Sequence, residues 1–185
     1  MANKRFYPKV TQLLLLNLLS FFVVNSYGDT LTSPFAVKAT ILPGCILGSG
    51  TADATSFGAL SFGNVSSLSS AINIISSQNA GSIVIQCNAT TSMTLALNSG
   101  VNSAGNISSG RRLLNSTTGE SLLYQIFQDS AYSIIWGNGS NGGTTKAFNA
   151  TNTTQQINLY AQLFASNTLP TAGNYTDTLL VTVTY

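Results

Sequence analysis

Apolar and polar residues alternate with a period of two along short runs of this chain, and clusters of Gly, Ser, Asn and Thr separate the runs. Such alternation is expected of strands buried on one face. It predicts strands over Leu60–Val65, Gly81–Asn88, Ser92–Asn98, Ser121–Gln128, Ser133–Trp136, Gln156–Phe164 and Tyr175–Tyr185. Nowhere does a window of about 12 residues carry a convincing helical apolar period. About seven or eight short strands at this spacing predict an all-β fold, a two-sheet sandwich of immunoglobulin type. Glycines between the runs, Gly137 and Gly143 among them, are expected where the backbone needs positive φ.

The two ends of the pattern are the most informative. In the final run Leu179, Val181, Val183 and Tyr185 share one face, while Thr178, Leu180, Thr182 and Thr184 share the other. The sequence stops on this strand, so its edge is expected to lack a cover. Near the front, Ser33–Ile41 also alternates, with Phe35, Val37, Ala39 and Ile41 on one side. A domain that lacks a last strand and carries a spare one is expected to complete its neighbour and to be completed in turn.

Residues 1–28 read as a secretory signal peptide, because Lys4, Arg5 and Lys9 precede an apolar run from Leu13 to Val24. Asn17 interrupts that run, which is shorter than the about 20 residues of a membrane span. Small residues Ser26 and Gly28 place the mature start near Asp29. Removing the leader changes the charge: the whole chain carries +2, but Lys38, Arg111, Arg112 and Lys146 then face Asp29, Asp53, Glu120, Asp129 and Asp177, a net charge of −1. No basic stripe for nucleic acid or an anionic membrane remains. The surface is polar and nearly uncharged, suited to packing against copies of itself. Length allows one domain, expected over 45–185, with 29–44 ahead of it as a strand-donating segment. Two cysteines in an exported chain, Cys45 and Cys87, predict one disulfide. Closing that loop stabilises by about 4 kcal/mol in the chain-entropy treatment.

The chemistry of catalysis is thin. There is no histidine, so the commonest general base near neutral pH and the commonest metal ligand are missing. With both cysteines bonded there is no thiolate nucleophile or zinc cage, and the carboxylates are scattered singly. No catalytic residue, cofactor or metal site is predicted. Arg111-Arg112 beside Gly110 reads as one solvated guanidinium and one structural ion pair, to Glu120 or Asp129, in preference to an anion clamp. Asn138–Gly143 lacks the lysine and helix of a phosphate loop and reads as a hairpin turn. Tyr132, Ile134, Ile135 and Trp136 read as core and hairpin residues in preference to an exposed adhesive finger.

Taken in order, several stretches resemble the spore coat protein U domain family. Its front half is matched by Phe35-Ala-Val-Lys-Ala-Thr-Ile-Leu-Pro-Gly-Cys45, Leu60-Ser-Phe-Gly-Asn64 and Gly81-Ser-Ile-Val-Ile-Gln-Cys87. Its back half is matched by Arg112-Leu-Leu, Leu123-Tyr-Gln-Ile-Phe127, Trp136-Gly137 and the closing Gly173–Tyr185. Within the family the chain is most similar to single-domain subunits of Csu-type archaic chaperone–usher pili of Gram-negative bacteria. The resemblance implies an incomplete immunoglobulin-like β-sandwich completed by a donated strand, in a structural pilus subunit that supports adhesion and biofilm formation. It implies a periplasmic chaperone, an outer-membrane usher and other subunits in a head-to-tail homo- or hetero-polymer as partners, and no nucleic acid. Export to the periplasm and then the cell surface follows. On this sequence the donor face is Phe35, Val37, Ala39 and Ile41, and the acceptor cleft includes Leu179, Val181, Val183 and Tyr185. Two other readings remain open at this stage: a secreted monomeric sandwich that binds a carbohydrate or small ligand, and a coat protein of a dormant cell.

Overall fold

The structure, a computed structural model, describes residues 32–48 and 50–185. The expected leader, residues 1–28, and its cleavage position lie outside the described residues. The chain divides into two units, Met1–Thr40 and Ile41–Tyr185. In the first, described residues 32–40 have no regular secondary structure and are exposed.

Among its described residues the second unit holds ten strands: β1 (Cys45–Leu47), β2 (Ile72–Ile75), β3 (Ile83–Cys87), β4 (Thr91–Leu97), β5 (Arg111–Leu114), β6 (Ser121–Phe127), β7 (Lys146–Ala150), β8 (Thr154–Ile157), β9 (Tyr160–Leu163) and β10 (Val181–Thr184). Among the described residues there is no helix. Three sheets form, with orders β1-β3-β8, β10-β4-β7 and β2-β9-β6-β5, and every ladder is antiparallel. The fold is therefore all-β, an open sandwich of incomplete immunoglobulin-like form. All three sheets close on one core, in which Ile83, Ile85, Leu95, Leu97, Ile126 and Trp136 are buried.

β3, β4 and β6 stand close to where alternation predicts them. β4 shows the alternation plainly: Met93, Leu95 and Leu97 are buried, Ser92 and Thr94 exposed. Elsewhere the pattern misleads. Leu60–Val65 forms no strand, because positive φ at Gly63 breaks the run; its apolar residues still serve the core, with Phe62 edge-on to Tyr124 at 6.4 Å. The strand lies instead at β2, where Ile72 and Ile74 are half-buried and Asn73 and Ile75 exposed. Ser133–Trp136 contributes only two isolated bridges. The predicted Gln156–Phe164 strand is two, β8 and β9, in different sheets. The break at Asn158-Leu159 is held by the Ser76 hydroxyl, which accepts from Leu159 N at 2.7 Å, while Asn158 Oδ1 accepts from Ser82 and Gln156.

Gly137 and Gly143 correct a further expectation, since neither has positive φ. They are glycines because two backbones touch there: a Cβ on Gly137 would lie 2.7 Å from Gly143 Cα. Trp136 is fully buried, its indole N–H donating to Leu95 O at 3.1 Å, so the Tyr132–Trp136 stretch does supply core, although Ile134 is about half exposed.

Candidate functional site

Backbone hydrogen bonding along β1 and β10 defines the site. In an antiparallel ladder alternate residues bond to a given neighbour, and those between them turn their N–H and C=O to the opposite side. Beside β1, Asn88 N donates to Gly44 O and Gly48 N to Val84 O, so the even residues face β3. Cys45 and Leu47 then direct their backbone groups outward. That parity makes Cys45↔Cys87 a non-hydrogen-bonded pair, with close Cα atoms. The two residues form the expected disulfide with Cα atoms 4.1 Å apart.

β10 repeats the arrangement. Asn98 N donates to Leu180 O, and the register pairs Thr182 with Ala96 and Thr184 with Thr94. The backbone groups of Val181 and Val183 therefore point away from β4. No strand among the described residues pairs with this side of β10 or with the outer side of β1. Between the two edges lies a depression of about 180 Å³ lined by Cys45, Ile46, Leu47, Asp53, Val183 and Tyr185. Of its lining, Cys45, Leu47 and Val183 are half-buried and pack on the core, as do Leu179 and Val181 farther back along the chain.

Of the predicted cleft residues, Leu179, Val181 and Val183 thus share the core-facing side, while Tyr185 is largely exposed at the rim. Phe35, Val37 and Ile41 are 86%, 83% and 85% exposed, and Ala39 is exposed. Large apolar side chains this accessible are the kind of surface that marks interaction sites.

Sequence reasoning missed the polar residues that shape the groove. Leu47 N donates to Asp53 Oδ1 at 2.8 Å, and Ala54 N donates to Leu47 O at 2.7 Å, so residues 53–54 cap part of the β1 edge. A lone carboxylate in a loop gives no signal of this in sequence. Asn88 continues the β1–β3 ladder: its Oδ1 accepts from Gly44 N at 2.8 Å and its Nδ2 donates to Leu42 O at 3.0 Å. Residues 42–44 are thereby held in line with β1.

The entry to β10 is anchored by charge. Asp177 Oδ1 accepts from Val101 N, Asn102 N and Asn102 Nδ2, and Oδ2 accepts from the Tyr124 hydroxyl at 2.7 Å. Burial raises the Tyr124 pKa, reinforced by that hydrogen bond. Asn98 Oδ1 accepts from Leu180 N at 2.9 Å. Behind Asn98 sits Arg111, fully buried. Its guanidinium donates to Asn98 O at 2.9 Å, to Trp136 O at 2.7 Å and to Gln125 Oε1. The ion pair expected with Glu120 or Asp129 is not what holds this arginine; a ring of carbonyl-type oxygens does. Burial lowers its pKa to about 10, against the opposing pull of Tyr124 and Asp177, so it remains charged at neutral pH. Arg112 is the exposed partner, donating to Ser121 Oγ at 3.1 Å. Glu120 instead accepts from Thr171 N and the Tyr175 hydroxyl.

A family model described as the Spore Coat Protein U domain matches residues 31–182. No curated protein matches the chain. Among solved structures, it is similar to a chain in the crystal structure of the CsuC–CsuE chaperone–tip adhesion subunit pre-assembly complex from archaic chaperone–usher Csu pili of Acinetobacter baumannii. Identity there is 23% over 79% of this chain, with a TM-score of 0.47, and the chain spans 41% of that chain's length.

Proposed function

The chain belongs to the Spore Coat Protein U domain family, and from that premise we propose that it is a non-catalytic structural subunit that polymerises by strand donation, building a pilus on the bacterial surface. The observation that carries the reading is the groove: two outward-facing strand edges, β1 and β10, flank an apolar floor. An added strand gains main-chain hydrogen bonds from β10 and from Cys45 of β1, and from Leu47 once the contacts of residues 53–54 with it open, and buries its alternate side chains below; chaperone–pilin strand donation is a standing example of this mode of recognition. The segment Ser33–Ile41 has the matching pattern, four apolar residues at period two, ending close before β1.

The energetics favour capture. Burying Phe35, Val37 and Ile41, with a smaller contribution from Ala39, gives roughly 5 to 10 kcal/mol of gross hydrophobic stabilisation before ordering costs. Left empty, the groove is an exposed edge and a predicted aggregation site. A chaperone that lends a strand in the periplasm meets that need, and an usher is the place where the next subunit's segment replaces it. Donation from one copy to the next is heterologous and does not close, so it generates a filament. Adhesion and biofilm formation would follow from a surface filament.

Substituting Phe35→Asp or Val37→Asp tests the reading. Each variant is expected to bind its chaperone and to fail as a donor, which shows as lost polymer ladders and lost filaments on cells. Filaments of normal length from either variant would refute it.

A further inference from the structure

Among the described residues one charged side chain lines the groove, placed where it can align an incoming strand. This inference rests on the strand-capture reading. Phe35, Val37, Ala39 and Ile41 repeat at period two, so a slip of two residues still places apolar side chains inward; the hydrophobic pattern alone specifies face better than register. Something polar must do the rest.

Asp53 is the only acidic side chain lining the groove among the described residues. Its Oδ1 accepts from Leu47 N, one of the groups that a strand added to β1 would engage. On strand entry the Ala54 N–H leaves Leu47 O, the Leu47 N–H passes to the new partner, and the carboxylate, exposed at the rim, loses its donor. Lys38 is the only charged residue between residues 32 and 44. It lies on the face opposite Phe35, Val37, Ala39 and Ile41, the face that points out of the groove when those four point in. In a domain with so few charges, one acid at the acceptor rim and one base on the donor's outer face are complementary.

We propose that Asp53 is the register pin of the groove: it caps Leu47 N–H while the groove is empty and takes the Lys38 ammonium of a second copy's Ser33–Ile41 segment once the groove is filled. The slipped registers place Thr40 or Ala36 opposite the carboxylate and gain no such bond.

The test dilutes the denatured full chain into buffer containing a fluorescent Ser33–Ile41 peptide and measures capture by anisotropy. Wild-type and Lys38→Asp peptides are each offered to wild-type and Asp53→Lys chains. Either reversal alone is expected to weaken capture about tenfold, which corresponds to about 1.4 kcal/mol. The two reversals together are expected to restore capture to within about threefold, and 1 M salt to erase the differences. Equal capture in all four combinations overturns the pin and leaves strand capture standing. Capture of no peptide by any chain overturns strand capture itself, and the pin with it. Should Asp53→Lys fail to fold, the Asp53→Asn chain decides: it must lose the preference for the wild-type peptide over the Lys38→Asp peptide, and a preference that persists overturns the proposal.

Discussion

Replacing Arg111 by methionine removes the cation that joins β5, the end of β4 and the Trp136 hairpin, while keeping most of the side-chain volume. Two acceptors depend on it, Asn98 O and Trp136 O, while Gln125 Oε1, its third partner, keeps the Ile126 amide as a donor. Each buried acceptor left without a donor costs about 1–3 kcal/mol. Against this stands the desolvation of a fully buried guanidinium, which the substitution relieves and which offsets part of the loss. The expected net destabilisation is about 2–4 kcal/mol, a large share of the roughly 5–15 kcal/mol typical of a domain. Because Asn98 also bonds Leu180 through its backbone N–H and its side chain, the loss should loosen the start of β10 as well. Urea unfolding followed through Trp136, the only tryptophan, reads the effect directly. Arg111→Lys should fall between, since an ammonium reaches fewer of the three oxygens. A midpoint for Arg111→Met corresponding to less than about 1 kcal/mol would show that the acceptors find other donors and that this network is not what holds the groove wall.

Cys45→Ser should lower stability by about 4 kcal/mol in urea denaturation, because a bond spanning 42 residues no longer limits the unfolded chain; an unchanged midpoint would mean the disulfide contributes nothing. Gly137→Ala should cost more than about 1–3 kcal/mol, since the new methyl meets Gly143 Cα at 2.7 Å and the Asn141 side chain; a thermal midpoint equal to wild type would refute the close approach. The Glu120 carboxyl is held below its ordinary 4.5 by hydrogen bonds from Thr171 and Tyr175. As the folded-state value is depressed, its contribution is complete above about pH 4.5 and is lost as pH falls through the lower folded value. Glu120→Gln should therefore flatten the acid side of the stability profile below pH 4.5, and a profile that overlays wild type there would contradict the assignment.

Half-buried strands were legible because burial on one face writes itself into the sequence: Met93, Leu95 and Leu97 alternate with Thr94 and Ala96, and β4 follows. The final strand was legible for the same reason, although of the predicted Tyr175–Tyr185 only Val181–Thr184 forms a ladder. What alternation does not encode is whether an apolar run finds a ladder partner. Leu60–Val65 packs on the core without pairing, whereas Ile72–Ile75 pairs with β9. It also cannot show a strand changing sheets, as at Asn158-Leu159, where side-chain hydrogen bonds take over from the ladder. Arg111 reads as a surface residue by type; its burial depends on carbonyls brought from β4 and from the Trp136 turn, which are far away in sequence. Cys45 and Cys87 announced their bond through number and context, but the polar trim of the groove, Asp53 and Asn88, is visible only once β1 has its neighbours.

The central claim is that β1 and β10 face an unfilled strand position. Hydrogen exchange at the Val181 and Val183 amides, measured with and without excess Ser33–Ile41 peptide, tests it most directly. Fast exchange in the solitary chain that becomes strongly protected when peptide is added is the predicted result. Amides already protected in the solitary chain, or indifferent to the peptide, would contradict it.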